Sequence, residues 1–148
     1  LYREMCADKG MQMPYDEAYI RALLADSHFR LFFEQDAQSR RVAALLVHTS
    51  GSHAGLLYAA TSNLGREAHA GFAIYRDVLG ELAKEGFGTF DMEKMAASTH
   101  STNAVYQFKQ GMKGVLTPLN GEWQWCRRKW MLLALYLVKK YIWKRIQA

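Results

Sequence analysis

The chain has 148 residues, half of them hydrophobic and 22% charged, which fits one folded domain with a buried core and excludes a disordered chain. Its two cysteines, Cys6 and Cys126, form neither a disulfide framework nor a paired metal motif, so we expect a reducing compartment. Its longest apolar run, Trp130 to Val138, covers nine residues, whereas a transmembrane helix needs about 20.

The net charge of +5 is concentrated near the C-terminus. No acidic residue follows Glu122, whereas seven of the 19 basic residues do. Residues 1–122 therefore hold 12 basic and 14 acidic residues, a net charge of −2. The basic tail predicts contact with an anionic surface.

The first predicted elements are a helix and three strands. Pro14 suits the first turn of a helix that continues through Asp26, and Asp16 favours its positive end. Apolar β-type runs separated by polar turns predict strands over 28–36, 40–50 and 55–62, joined as an antiparallel meander. Because Leu1 falls in a helix-like stretch, we also expect sequence before it.

The next predicted element is a long helical run that opens within 62–71 and continues to Lys84. Phe72, Tyr75 and Leu79 recur at helical spacing, and Gly86 suits the helix end. The remaining predictions are a strand over 88–94, a helix over 99–113, strands over 114–119 and 122–128, and a final helix from 129 onward.

The order of strand, helix and strand predicts that strands 55–62 and 88–94 lie side by side and parallel. We therefore predict an α/β (α+β) fold, with a mixed, mostly antiparallel sheet and helices on both faces. The whole chain, 1–148, is predicted to be one domain that ends in a basic amphipathic helix over 129–148.

This order of elements resembles the GNAT acyltransferase fold, and four short motifs narrow the resemblance. The motifs are a YxxxS strand end at 58–62, an Ala-Lys helix end at 83–86, Asp91 within a strand, and Tyr-x-Phe-Lys at 106–109. Together they resemble the second GNAT-like half of the Fem family, the aminoacyltransferases that build peptidoglycan cross-bridges from aminoacyl-tRNA. The resemblance extends from Pro14 through the basic tail.

The resemblance implies transfer of an aminoacyl group from aminoacyl-tRNA to the amine of a lipid-linked or nucleotide-linked peptidoglycan precursor. It implies no tightly bound cofactor, a cytoplasmic location extending to the inner face of the membrane, and a further GNAT-like domain before Leu1. The candidate substrate-binding residues are Thr61, Arg66, Gly71, Tyr106 and Phe108. The candidate catalytic residues are Lys109, which the Fem motif marks, and the carboxylates Asp91 and Glu93.

Lys109 is the residue that the Fem motif singles out. On a helix over this segment, Phe108 faces the core, while Tyr106 and Lys109 lie i, i+3 apart on another side. An ammonium there can stabilise the oxyanion formed when an amine attacks an acyl ester, or hold a tRNA or lipid phosphate. By pattern alone Lys109 is a solvated surface lysine, and the family motif favours the functional role.

Asp91 and Glu93 are the candidate general bases. Residues i and i+2 of a strand face the same way, and two adjacent carboxylates can raise the pKa of one of them. The alternative is structural, with Asp91 capping a neighbouring loop and Glu93 pairing with a lysine.

The segment from Arg66 to Gly71 is the candidate loop for the pyrophosphate of CoA. GNAT enzymes hold this group on backbone amides in a basic-x-x-Gly-x-Gly-like loop where the long helix begins, since free amides and the helix dipole favour an anion. The chain keeps Arg66 and Gly71 but has His69 in place of the first glycine. A CoA-dependent N-acyltransferase acting on an envelope sugar or amine is therefore an alternative, and a plain helix start near Ser62 is another.

The basic tail leaves three partners open. Trp130, Tyr136 and further aromatic residues accompany the basic ones, which suits an anionic membrane surface, tRNA, or docking of the helix on its own sheet. A non-catalytic module that binds membrane or RNA is thus a further alternative. The candidate contact residues are Arg127, Arg128, Lys129, Lys140 and Lys144. The five histidines show no metal-ligand spacing, and no metal site is predicted.

Overall fold

The computed structural model describes residues 1–10, 12, 16–94, 104–118, 125 and 127–138. The chain forms two compact units, Leu1–Gly114 and Val115–Ala148. The elements in chain order are α1 (Tyr2–Asp8), α2 (Glu17–Leu24), β1 (Phe29–Gln35), β2 (Arg41–Ser50), β3 (His53–Thr61), α3 (Asn63–Glu67), α4 (Ala70–Lys84), β4 (Thr89–Asp91), α5 (Ala104–Gly111) and α6 (Lys129–Val138).

A four-stranded mixed sheet in the order β1-β2-β3-β4 forms the centre of the first unit. β1 pairs antiparallel with β2, and β2 pairs antiparallel with β3, so the predicted meander is confirmed. β4 pairs parallel with β3, as the strand-helix-strand order predicts. The predicted fold class is therefore confirmed.

Helix α4 supplies the main core on one face of this sheet. Its buried residues Ala70, Ile74, Tyr75, Val78 and Leu82 recur every few positions and form one apolar stripe. They cluster with buried side chains of β2 and β3, among them Leu45, Val47 and Leu56.

Helices α1 and α2 lie against the other face. α1 contacts β3, and α2 contacts β1. Ala44 and Leu46 border the cleft beside α1 and α2, whereas Leu45 between them belongs to the core under α4. Successive strand residues point to opposite faces, so the two groups of helices sandwich the sheet as predicted.

The predicted long helical run is two helices, α3 and α4, which are separated at Ala68 and His69. The Oγ of Ser62 accepts a hydrogen bond of 3.0 Å from the amide of Gly65 and caps α3. His69 has a φ of 52°, the left-handed conformation, and is the N-cap of α4. A histidine in this conformation gives a weaker sequence signal than a glycine, which is why the periodicity suggested one continuous helix.

The second unit contains α6 within the described residues. The strand predicted over 114–119 is wrong for residues 114–118, which form neither helix nor strand. Pro118 lacks a backbone N–H and cannot donate to a ladder, which disfavours a strand there. Most of the strand predicted over 122–128, the helix after Val138 and the helix start at 99–103 lie outside the described residues. None of the helices that the structure describes is long and apolar enough to cross a membrane.

Candidate functional site

The C-terminal end of β3 runs past the end of β4. The parallel pairing starts at His53 and Thr89 and ends at Gly55 and Asp91. Residues 56–61 of β3 therefore have no ladder partner in β4 within the described part of the sheet. Ligands of sheets with parallel strands bind at the carboxyl ends of those strands. The opening beside residues 56–61 of β3 is therefore a candidate site.

Three predicted substrate-binding residues meet at this end of β3. Thr61 ends the strand, Gly71 lies in the first turn of α4, and Phe108 projects from α5. A β-carbon at Gly71 would lie 3.6 Å from Cε2 of Phe108 and 3.7 Å from Oγ1 of Thr61. The structure brings these three residues together, and a β-carbon at Gly71 would fill the gap between Phe108 and Thr61.

Aromatic packing fixes the position of Phe108. Its ring centroid lies 4.6 Å from that of Phe72 and 5.4 Å from that of Tyr75, both on α4. Burial raises the pKa of Tyr75 to about 12, so its phenol stays protonated at neutral pH. Tyr75 is therefore a packing partner of Phe108 and not a base.

Arg66 lies beside the same strand end but is bound to protein groups. Its guanidinium donates to the carbonyl of Thr61 at 2.8 Å, to the side-chain oxygen of Asn63, and to the Asp8 carboxylate at 3.4 Å. These bonds tie α3 to β3 and α1. Arg66 therefore orients the turn between β3 and α4, whatever its role toward a substrate.

His69 gives this turn a glycine-like backbone. It occupies the position of the first glycine in the CoA-binding pattern, and its φ of 52° lies in the region that favours glycine. The turn therefore has a backbone conformation that glycine adopts without strain. Glycine is therefore not required for this backbone conformation, and the imidazole of His69 and the carboxylate of Glu67 remain in the loop.

Lys109 points at backbone carbonyls at the end of β4. Its Nζ donates to the carbonyl oxygens of Met92, of Glu93 at 3.0 Å and of Lys94 at 3.2 Å. An ammonium has three N–H donors, so these three acceptors use its whole donor capacity. Burial lowers the pKa of Lys109, and the nearby Glu93 and Asp91 carboxylates oppose that shift. The sequence motif located the lysine, but it did not show these partners.

Asp91 and Glu93 do not form the predicted side-by-side pair on a strand. β4 ends at Asp91, and Glu93 has a φ of 67° in the turn that follows. The Oδ1 of Asp91 accepts a hydrogen bond of 2.8 Å from the amide of Glu93. The assumption that both residues extend along one strand is therefore wrong, although both lie near Lys109.

Tyr106 and the basic tail residues are the remaining predicted site residues. Tyr106 is half-buried on α5, one turn before Lys109. Arg127 and Arg128 are exposed just before α6, which begins at Lys129. The side chain of Lys129 and all of Lys140 and Lys144 lie outside the described residues.

An apolar cleft of about 130 Å³ opens on the α1 and α2 face of the sheet. Its lining includes Tyr2, Ile20, Leu31, Leu46, Tyr58 and Ala60. The rings of Tyr2 and Tyr58 meet edge to face with centroids 5.5 Å apart. Sequence reasoning missed this cleft, because apolar residues that alternate along strands indicate buried core, and only tertiary packing shows that α1 and α2 leave a gap.

Solved structures of other proteins are similar to this chain, among them the following three. An aminoglycoside acetyltransferase from an uncultured soil metagenomic sample, in complex with sisomicin, matches with a TM-score of 0.65 and 13% identity over 86% of each chain. The ribosomal-protein-S18-alanine N-acetyltransferase of Escherichia coli matches with a TM-score of 0.53 and 15% identity over 69% of this chain and 61% of its own. A tetramutant of the BH1408 protein from Bacillus halodurans matches with a TM-score of 0.60 and 9% identity over 83% of this chain and 86% of its own.

These likenesses define a fold. At 9 to 15% identity they show the fold alone, and it is the acetyltransferase fold that the order of elements predicted. No protein-family model and no curated protein matches the chain. The narrower resemblance to the Fem family therefore depends on the sequence motifs. Within the described residues, no group of three or more His, Cys, Asp or Glu side chains could hold a metal ion.

Proposed function

We propose that the chain is an N-acyltransferase that transfers an acyl group from acyl-CoA to the amino group of an envelope sugar or of another amine-bearing acceptor. The observation that carries this proposal is the left-handed turn at His69 in front of α4. It stands beside the end of β3 that extends past β4 in the described part of the sheet, in a fold like that of acetyltransferases.

The start of α4 has the properties that a CoA pyrophosphate requires. The first amides of a helix and its dipole attract an anion. The chain presents these amides directly after the turn at His69, and the lack of a side chain at Gly71 leaves a gap against Phe108 and Thr61 that a β-carbon would fill. The residues present therefore fit acyl-CoA, with Gly71 and Thr61 closest to the strand end and Arg66 holding the turn.

The chemistry needs little from side chains. The amine nitrogen attacks the thioester carbonyl carbon, the new C–N bond forms, and the C–S bond breaks. The amine loses a proton, and CoA leaves as the thiol. Asp91 and Glu93 are our candidates for accepting that proton, because they are carboxylates near the opening between β3 and β4.

The apolar cleft favours an acceptor or acyl group with an apolar portion. Its lining includes Tyr58 and Ala60, which precede Thr61 on β3, and it opens on the α1 and α2 face of the sheet, opposite the face that α4 covers. Burial of apolar surface contributes about 25 cal/mol of binding free energy for each Å². An acceptor with an apolar portion should therefore bind here more tightly than a polar acceptor with the same amino group.

Aminoacyl transfer from tRNA to a peptidoglycan precursor is the rival that the Fem motifs support. Its central assumption is an ammonium of Lys109 that is directed at the substrate. Three backbone carbonyls engage that ammonium in the structure, which favours acyl-CoA as the donor.

The two proposed reactions are distinguished by the acyl donor that the protein uses, acyl-CoA or aminoacyl-tRNA. Purified full chain is mixed with acetyl-CoA and a panel of primary amines, matched in amine but graded in apolar content, and release of the CoA thiol is followed. The proposal expects release that depends on protein and amine and increases with apolar content. The Fem-type reaction would instead be established if the protein turned over aminoacyl-tRNA and released no CoA thiol from acetyl-CoA.

A further inference from the structure

Helix α6 is apolar around its whole circumference. From Trp130 to Val138 its sequence is WMLLALYLV, in which the phenol of Tyr136 and the indole of Trp130 are the polar groups. Helices that are hydrophobic on every side are buried, either in the core of a large protein or in a membrane. A surface helix would need a polar face, and α6 has none.

The side chains of α6 are nevertheless exposed. The exposed fraction is 63% for Trp130, 61% for Leu133 and 57% for Tyr136. Met131, Leu135, Leu137 and Val138 are each exposed by at least 40%. A continuous apolar surface of this kind marks an interaction site, because leaving it in water costs about 25 cal/mol per Å².

The charges around α6 identify the partner. Exposed Arg127 and Arg128 stand immediately before it, and Lys139 and Lys140 follow it in the sequence. No acidic residue occurs after Glu122. An apolar segment with cationic ends and tryptophans nearby matches an anionic bilayer, where basic residues meet the headgroups and aromatic residues lie at the interface.

The length of α6 sets its depth. Ten residues make a helix of about 15 Å, half of the roughly 30 Å hydrocarbon core of a bilayer. We propose that α6 inserts into one leaflet of anionic phospholipid membranes, with Arg127 and Arg128 at the headgroups, and so anchors the protein there. The anchor does not depend on the acyl-transfer proposal, since every residue it uses belongs to the second unit.

The protein carries its own probe for this binding. All four tryptophans follow Glu122, so tryptophan emission reports on the second unit without any label. Full chain is titrated with phosphatidylcholine vesicles that do or do not contain phosphatidylglycerol. If α6 anchors the protein, tryptophan emission should shift to the blue and the protein should co-sediment with the anionic vesicles. High salt should weaken this binding, because it screens the attraction between the basic residues and the headgroups.

Two variants divide the apolar part from the electrostatic part. The double change Leu133→Glu and Leu137→Glu should reduce partitioning by about tenfold or more, whereas Leu64→Glu, an exposed leucine of α3, should leave it unchanged. The double change Arg127→Ser and Arg128→Ser should weaken binding to anionic vesicles by about fivefold for each charge removed. The control is the double change Arg21→Ser and Arg76→Ser, which should leave binding unchanged.

Several results would overturn the anchor. They are equal binding to vesicles with and without phosphatidylglycerol, full binding by the Leu133→Glu and Leu137→Glu variant, or tRNA binding in the absence of vesicle binding. A concentration-dependent dimer with no blue shift on vesicles would also overturn it, since a second copy would then cover α6. Circular dichroism of each variant checks that the fold is intact, and the arginine variant keeps the test valid if the glutamate variant unfolds.

Discussion

The backbone of Gly71 and the ring of Phe108 lie so close that a β-carbon on the glycine would stand 3.6 Å from Cε2 of the phenylalanine. That distance is an ordinary van der Waals contact, so alanine fits and a larger side chain does not. The two residues come from different helices, α4 and α5, and the crevice between them faces Thr61 at the end of β3. The proposed donor site depends on this crevice staying open.

Gly71→Val should fill the crevice. We expect the KM for acyl-CoA to rise by about tenfold or more, the equivalent of about 1.4 kcal/mol, because the added methyl groups occupy donor space. Steady-state kinetics with a fixed amine measure this. The matched control is Gly80→Val on the same helix, where no side chain or backbone atom lies within 4 Å of the new β-carbon. Equal kinetics for the two variants would contradict the assignment of the crevice.

Lys109→Met should lower stability before it affects chemistry. It removes three hydrogen bonds from the ammonium to backbone carbonyls, of which the one to the part-buried carbonyl of Met92 counts most, and we expect a loss of about 1–2 kcal/mol of unfolding free energy. Urea denaturation measures this loss, and Lys84→Met, at the exposed end of α4, is the control. A variant with native stability and a kcat reduced by orders of magnitude would instead show that the ammonium acts on the substrate, as the Fem motif implies.

His69→Gly should stabilise the protein. A left-handed conformation costs a residue with a side chain about 1 kcal/mol or more, and glycine adopts it without that cost. The neighbouring change Ala68→Gly should destabilise the protein, because Ala68 has a φ of −84° and gains nothing from the substitution. The urea midpoints of the two variants should move in opposite directions. A lower midpoint for His69→Gly would mean that the imidazole makes contacts worth more than the backbone strain.

Glu85→Gln should flatten the acid part of the stability profile. Arg30 of β1 bonds to Glu85 at 2.5 Å, and this bond lowers the pKa of Glu85 below its ordinary value of 4.5. A carboxylate whose pKa is depressed in the folded state contributes stability above its unfolded pKa, and this is lost as the pH falls through the folded pKa. Wild type and Glu85→Gln should therefore differ at pH 7 and converge in acid.

The comparison needs a background without the ion pair. In an Arg30→Met protein, Glu85→Gln should change the pH dependence far less, because the guanidinium that shifts the carboxyl is gone. Denaturation series from neutral to acidic pH on the four proteins measure this coupling. An undiminished effect of Glu85→Gln in the Arg30→Met background would contradict the assigned cause.

The sequence was sufficient to predict the sheet and its main helix. Apolar spacing in α4 and the alternation in β2 are local signals with a known period, and short connections fix neighbouring strands. The parallel step from β3 to β4 follows from the order of elements. The meeting of Thr61, Gly71 and Phe108 was not predicted, because the three are separated in the chain by other elements and Phe108 was expected to face the core.

The details of the site could not be predicted because they depend on backbone conformation and long-range contacts. Nothing in the residue type of His69 fixes a left-handed turn, and the periodicity continued through it. Glu93 was expected to extend β4, but the strand ends at Asp91, whose carboxylate bonds the Glu93 amide. The carbonyl partners of Lys109 lie 15 to 17 positions earlier in the chain, beyond the reach of any local pattern.

Binding of acetyl-CoA at the start of α4 is tested by titrating the isotope-labelled full chain with acetyl-CoA and following amide chemical shifts by NMR. We expect saturable shifts centred on Thr61, Ala70 and Gly71, and weaker binding by Gly71→Val than by Gly80→Val. Absence of binding at millimolar acetyl-CoA, or shifts confined to residues 115–148, would contradict the assignment of the donor site.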